Sequence, residues 1–163
     1  MTNHWVDYQN SDVFMVIGTN PAENHPISMR WINKARETRG AKLIVVDPKF
    51  NRTAALADLY VPLRPGTDIA FLGGLMNYAM THGRYFHDYV VKYTNASYLI
   101  HPDFQFEDGL FSGAQVGEDG QVTYDTTTWQ YQLDTEGNIL KDPTLTHPQC
   151  VFQLMKKHYS RYT

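Results

Sequence analysis

Apolar and polar positions change rhythm along the chain. Near its start, "DVFMVIG" is a short apolar run, rich in β-branched residues, that closes on Gly18. That pattern predicts a buried parallel strand. "HPISMRWINKARETRG" follows with helical spacing, Pro26 suiting the first turn and Gly40 the stop. Ile27, Arg30, Trp31 and Lys34 fall on one side, so Trp31 and the stem of Lys34 are expected to pack on the sheet. "AKLIVVDP" predicts a second buried strand ended by Pro48, and "RTAALAD" a short helix. "LYVPL" predicts a third strand near an edge, because Pro62 cannot donate to a ladder. "TDIAFLGGLMNYAMTHG" predicts an apolar helix, with Thr67 or Asp68 at its N-cap and Gly83 as its stop. Gly73-Gly74 inside that helix costs about 2 kcal/mol in propensity, so close backbone packing is expected there. The alternating order predicts an α/β class: a Rossmann-like open, mainly parallel sheet with helices on both faces.

The texture changes after about residue 94. "HPDFQFEDGLFSGAQVGEDGQ" is rich in Gly, Asp and Phe and has little periodicity. "QVTYD" and "TWQYQLD" predict a β-hairpin, with "TEGN" as a turn after its second strand. "HPQCVFQLMKKHYSRY" predicts a helix with an apolar stripe of Val151, Leu154 and Met155. The expected organisation is an α/β binding segment over 1–94, an excursion with a hairpin over 95–147, and a helix over 148–163.

With 163 residues, 42% of them hydrophobic and 19% charged, the chain has enough apolar material for a real core and is neither disordered nor fibrous. A net charge of -3 removes the electrostatic case for nucleic acid, and Lys156-Lys157 reads as a solvated helix side. The single cysteine, Cys150, excludes an internal disulfide framework, and its apolar neighbours predict a buried thiol. No run of about 18 apolar residues is present to span a membrane. "MTNHWVDYQN" lacks the basic start and apolar stretch of a signal peptide.

In an open parallel sheet, ligands sit beyond the carboxyl ends of the strands. Three segments leave strands there: "GTNPAENHP", "DPKF" and "RPGTD". Gly18 removes a Cβ from the first turn, and Asn20, Glu23 and Asn24 offer polar side chains. The helix after Pro26 is expected to point its dipole at a phosphate. Asp47 stands where a carboxylate accepts hydrogen bonds from a ribose diol. Lys49 and Arg52 suit phosphate or carboxylate, and Asp68 suits the N–H edge of guanine. Each of these residues is also an ordinary capping or turn residue. Their convergence at one sheet edge favours a nucleotide site.

No G-x-G-x-x-G fingerprint and no P-loop exists, so ordinary NAD or nucleoside triphosphate sites are disfavoured. The seven histidines form no metal motif, and no serine has a G-x-S-x-G context. The carboxylates of "DFQFEDG" read as loop caps. Asn51-Arg52-Thr53 and Asn95-Ala96-Ser97 match glycosylation sequons weakly. Nothing here forms a complete catalytic machine.

"MTNHWVDYQNSDVFMVIGTNPAENHP", "GAKLIVVDPKFNRTAALADLYVPLRPGTDIAFLGG", "YTNAS", "FEDGLFSG" and "HPQCVFQLMKKHYSRYT" together resemble the large catalytic subunit of respiratory formate dehydrogenases, within the molybdopterin oxidoreductases. The resemblance runs from end to end. "G-x-N-P-A-E-x-H-P", "D-P-K/R" and "G-T-D" are shared across the superfamily, whereas "FEDGLFSG" and "HPQC…SRYT" are more specific to this branch. It implies oxidation of formate to carbon dioxide, with electrons passing to molybdenum or tungsten, then to iron–sulfur clusters and an iron–sulfur partner subunit.

The resemblance also implies a bis(molybdopterin guanine dinucleotide) cofactor. Ile17, Gly18, Thr19, Asn20, Pro21, Ala22, Glu23 and Asn24 would line one dinucleotide along its pyrophosphate. Val46, Asp47, Pro48, Lys49 and Phe50 would meet ribose and phosphate. Gly66, Thr67 and Asp68 would hold the guanine end. The family's metal-ligating selenocysteine or cysteine, its neighbouring histidine and the cysteines of a [4Fe–4S] cluster lie upstream of the resembling part, and a second dinucleotide-binding domain lies downstream. The chain is thus expected to be an internal fragment, inactive alone, whose partner is the rest of the subunit. If the ligand is selenocysteine, a UGA misread as a stop accounts for Met1; an upstream in-frame UGA followed by a His codon tests this. A deliberately cut chain is the equal alternative. A periplasmic location is implied by the resemblance only, with the cytoplasm as alternative. A stand-alone nucleotide-binding or regulatory module without redox activity is the rival function, and a scaffold domain that only contacts another subunit is a third.

Overall fold

A computed structural model describes residues 3–107 and 110–163. The chain forms two compact units, Met1–Asp68 and Ile69–Thr163. In the first unit, β1 (Val13–Ile17), β2 (Lys42–Val46) and β3 (Leu59–Val61) form a parallel sheet in the order β1-β2-β3. Phe14 lies opposite Leu43, Val16 opposite Val45, and Val45 opposite Tyr60, so these residues share one face. After the short α1 (Pro21–Asn24), α2 (Pro26–Arg39) covers that face. Met29 and Ile32 join Leu43, Val45 and Ala54 in one core, with Tyr8, Phe14, Val16 and Tyr60 around it. A 3-10 turn at Trp5–Asn10 packs along α2.

Pro26 occupies the first turn of α2, where its missing N–H is not needed. Gly40 ends the helix in the left-handed region at φ 69°, and Ala41 donates back to the Ala35 carbonyl. The central strand is buried as its composition predicts: Leu43, Val45 and Val46 expose nothing. β1 is less buried than expected, because in this sheet it pairs with β2 alone; Val13 is 58% exposed. β3 is the opposite edge, as Pro62 foretells.

The buried side of α2 differs from the expected one. Ser28, Met29, Ile32 and Ala35 face the core, whereas Ile27 is largely exposed. Trp31 sits half-buried at the rim, with Arg30 and Lys34 each 5.6 Å over its ring. Small and slender side chains let the helix approach the sheet closely. The large ring is better used outside, under two cations.

α3 (Asp68–Thr81), which from Ile69 onward belongs to the second unit, is followed by Gly83 at φ 62°. Gly73 meets the expected close approach, since a Cβ there would stand 2.6 Å from the ring of Tyr162. Gly74 has nothing within 4 Å of the same position. α4 (His87–Tyr93) is a short helix that the apolar pattern did not predict. Met80, Ala96, Leu145, Cys150 and Phe152 form the core of this unit. Cys150 is fully buried as expected, and its thiol donates to the Ala96 carbonyl.

The excursion forms two small antiparallel ladders, β4 (Phe106–Glu107) with β5 (Leu110–Phe111) and β6 (Ala114–Val116) with β7 (Val122–Tyr124). The expected hairpin is therefore corrected: "QVTYD" pairs with the preceding "AQV", not with "TWQYQLD". The turn chemistry decides this. Gly120 takes φ 76° and Asp119 accepts from the Gln121 amide, closing a tight reversal before β7. After β7, Asp125 captures the Thr127 amide, and the chain enters a 3-10 turn at Thr127–Trp129 instead of a strand. "TEGN" is the predicted turn, bracketed by the Leu133–Ile139 bridge.

Asp142 builds the loop before the last helix. Its two oxygens accept the amides of Thr144, Thr146 and His147 and the hydroxyl of Thr144. These bonds hold Leu145 at φ 58° with its side chain 1% exposed. α5 (Val151–Tyr159) follows, with Ser160 as its C-cap. Its most buried residue is Phe152; Val151, Leu154 and Met155, the predicted stripe, line a partly open aromatic pocket with Trp129 and His158. Asp108 and the side chain of Glu107, predicted loop caps, lie outside the described residues. Among the described residues no helix is long and apolar enough to cross a membrane.

Candidate nucleotide-binding cleft

β1 and β2 are parallel neighbours, so the segments after Ile17 and Val46 leave the sheet side by side. Gly18 donates to the Val46 carbonyl at 3.0 Å and so extends the ladder one step beyond β1. The two segments enclose a cleft of about 680 Å³. Gly18, Thr19, Asn20, Glu23 and Asn24 line one wall; Asp47, Lys49, Phe50, Asn51, Arg52 and Ala55 line the other.

The cleft thus gathers residues from two of the three predicted segments. Ile17, Pro21, Ala22, Val46 and Pro48 support its walls without lining it, and Pro21 and Val46 are buried. Gly66, Thr67 and Asp68 do not line it either. They belong to the "RPGT" turn, in which Gly66 takes φ 81° and Thr67 donates twice to the Arg64 carbonyl. Proline followed by glycine at positive φ is type II turn chemistry, which accounts for Gly66 locally. Sequence reasoning left out Asn51 and Ala55. Asn51 carried a signal in its place four residues after Asp47, where a short side chain reaches back to a carboxylate.

Each wall is held by its own hydrogen bonds. Asp47 is buried: one carboxylate oxygen accepts from the Lys49 amide at 2.8 Å and the other from Asn51 Nδ2 at 3.3 Å. Asn51 Oδ1 accepts from the Ala54 amide, and the Tyr60 hydroxyl donates to the Asp47 carbonyl at 2.8 Å. Asp47 therefore builds its loop first; a carboxylate has further lone pairs for a ribose hydroxyl. Phe50 is 63% exposed and set edge-on against Tyr60, leaving a flat aromatic face in the cleft. Between the walls, Asn20 Oδ1 accepts the Thr53 hydroxyl at 2.8 Å, and that hydroxyl accepts the Ala22 amide at 3.0 Å.

The expected phosphate anchor at the start of α2 is corrected. α1 intervenes between β1 and α2, and no residue of the first turn of α2 lines the cleft. The first-turn amides of α1 are themselves taken, by Thr53 for Ala22 and by the Asn20 carbonyl for Glu23 and Asn24. The cationic side chains that line the cleft are Lys49 and Arg52, and the Thr19 hydroxyl lies beside them on its lining. Among the described residues, Thr19 makes no hydrogen bond and Lys49 no ion pair. Arg52 pairs with Glu23 at 3.2 Å, and Asn20 Nδ2 also donates to Glu23. Both partners of the ion pair are largely exposed, so it is weak and easily exchanged for another anion.

Gly18 stands at φ 62° with nothing within 4 Å of where a Cβ would be. The main chain there is open to close approach by a ligand. Cations and amides for phosphate, a carboxylate and Asn24 for hydroxyls, and an aromatic face for a base lie in one place. The donor set fits a nucleotide tail.

Among the described residues no group of three or more His, Cys, Asp or Glu could hold a metal ion. His82 stacks on Tyr78, and His87 lies beside Asp88. In both sequons the hydroxyl residue is fully buried, Thr53 in the first and Ser97 in the second.

The molybdopterin oxidoreductase family model matches residues 1–85. The chain is 52% identical over 162 residues to the formate dehydrogenase subunit alpha of Megalodesulfovibrio gigas. Over 163 residues it is 51% identical to the formate dehydrogenase 2 subunit alpha (cytochrome c-553) of Nitratidesulfovibrio vulgaris. It is 53% identical over the same length to the major subunit of the nitrate-inducible formate dehydrogenase of Escherichia coli K12. These matches cover 99% or more of this chain and 16% of each relative. With the family matched over more than half of its residues, including both walls of the cleft, the chain belongs to the molybdopterin oxidoreductases.

Proposed function

We propose that this chain is part of the catalytic subunit of a formate dehydrogenase, and that it holds the guanine dinucleotide tail of a molybdopterin cofactor in the cleft between its first two strand ends. The observation that carries the proposal is the convergence of Gly18–Asn24 and Asp47–Arg52 on one open cleft. The similarity to formate dehydrogenase alpha subunits along the whole chain supports the choice of reaction. When bound, the molybdopterin group supplies the molybdenum or tungsten that takes up the electrons of formate.

This chain's own residues bind and orient. Lys49, Arg52 and the Thr19 amide hold the pyrophosphate, with Arg52 exchanging Glu23 for a phosphate oxygen. Asp47 and Asn24 accept or donate to ribose hydroxyls, and Phe50 offers a stacking face. Gly66, Thr67 and Asp68 would meet the guanine end beyond this cleft. Electrons would leave through a [4Fe–4S] cluster and an iron–sulfur partner subunit, in an enzyme of the periplasm. No residue of this chain is assigned to bond breaking.

Metal, pterin and nucleotide analysis of the protein purified from its native host tests the reading. The expected result is molybdenum or tungsten, a pterin, and GMP released by acid hydrolysis. A protein that carries none of these, yet binds free guanine nucleotide, would be a nucleotide-binding module instead.

A further inference from the structure

Thr53 belongs to neither wall of the cleft, yet it joins them. It is fully buried, and its hydroxyl is used in both senses: it donates to Asn20 Oδ1 at 2.8 Å and accepts the Ala22 amide at 3.0 Å. Its own amide also reaches Asn20 Oδ1, at 3.3 Å. Asn20 precedes α1 but does not cap it with its side chain. Thr53, from the segment behind the second wall, supplies the oxygen that an N-cap residue would normally supply. The orientation of Asn20, and through it of Glu23, is thereby set from the second strand end.

We propose that Thr53 is the positioning residue of the cleft: its hydroxyl fixes the separation of the two walls, and so the affinity for the nucleotide tail, without touching the ligand. The inference rests on the nucleotide reading of the cleft. Valine at this position keeps the shape and removes both hydrogen bonds of the hydroxyl, leaving the Ala22 amide orphaned. Serine keeps the hydroxyl and loses only a methyl group.

The test uses the enzyme purified from its native host with this chain in place, as wild type, Thr53→Val, Thr53→Ser and Ile32→Ala. Ile32 is a core residue that does not line the cleft, so its variant controls for simple loss of stability. GMP per protein is measured after acid hydrolysis, before and after prolonged dialysis, alongside thermal melts. The expected result is GMP retention about fivefold to tenfold lower in Thr53→Val, corresponding to two lost hydrogen bonds, and near wild type in Thr53→Ser. Ile32→Ala should keep its GMP at a comparable loss of melting temperature. Should Thr53→Val fail to fold, the serine variant decides: lost retention there overturns the role of the hydroxyl. Full retention in Thr53→Val, or equal loss in Ile32→Ala, overturns the inference while leaving the nucleotide reading intact. A wild-type enzyme without releasable GMP overturns both.

Discussion

The ring of Tyr162 lies against the Cα of Gly73, so close that a Cβ on Gly73 would stand 2.6 Å from Tyr162 Cδ2. Asn77 Nδ2 donates to the Tyr162 carbonyl at 2.9 Å from the same side of α3, fixing the chain end over that glycine. Gly74 has open space instead. The two neighbours should therefore answer alanine in opposite ways. Gly74→Ala should stabilise by up to about 1 kcal/mol through helix propensity. Gly73→Ala should displace Tyr162 and destabilise, by about 1–3 kcal/mol for an overpacked site. Parallel denaturant melts separate the two outcomes.

Asp142 gives a pH dependence with a defined sign. The Thr144 hydroxyl, helped by the amides of His147, Thr144 and Thr146, lowers its pKa from 3.8 to about 2. The folded form thus binds this proton less tightly than the unfolded form. Its contribution is complete above about pH 4 and is lost as pH falls towards 2. In Asp142→Asn that part of the acid sensitivity should vanish, and stability at neutral pH should fall by about 2 kcal/mol as an amide group faces two N–H donors. Urea melts between those pH values check both statements.

Cys150 should be silent to thiol reagents. Burial pushes its pKa up, and its Sγ–H is engaged with the Ala96 carbonyl. Labelling should be negligible in the folded protein and complete after denaturation. Fast labelling under native conditions would mean that the core around Leu145 and Phe152 opens.

Gly18→Ala should cost about 1–3 kcal/mol in backbone strain, because φ is 62°. It should also lower GMP retention, since the added methyl points into open space that a ligand would use. Gly40→Ala, with a similar φ of 69° but outside the cleft, should show the first effect without the second.

Isolated from any covering surface, the chain should melt broadly and bind hydrophobic dyes. Val13, Ile69, Phe86 and Tyr93 are all more than half exposed. A sharp cooperative transition in calorimetry would count against this expectation.

How much of this could be read from sequence varies with the physics involved. β2 was plain because a strand buried on both sides needs an unbroken apolar run, and "LIVV" is one. The helix stops at Gly40 and Gly83 were plain because positive φ selects glycine. The side of α2 was not: helical spacing allows the buried stripe to rotate by a residue, and the bulk of Trp31 drew attention to the wrong one. The partner of β7 depended on whether "GEDG" or "DTTT" made the reversal, a contest of turn chemistries of similar quality. The cleft lining, all but Asn51 and Ala55, was legible from strand-end segments and their Gly, Asn and Asp. Thr53 was not, because its partners lie far back along the chain and its local sequence resembled a sequon.

The sheet that carries the cleft contains no hairpin. Val13 pairs with Lys42 and Ile44 with Leu59, so every ladder bond joins segments well separated along the chain. β6 and β7, by contrast, meet across a turn of a few residues. Closing long loops before any bond rewards them is slow, whereas hairpins form in microseconds. The small ladders of the second unit should therefore be in place while the two walls of the cleft are still searching for each other. A nucleotide able to touch both walls would meet its site only after the sheet has closed, and would then act as a clasp that delays its reopening.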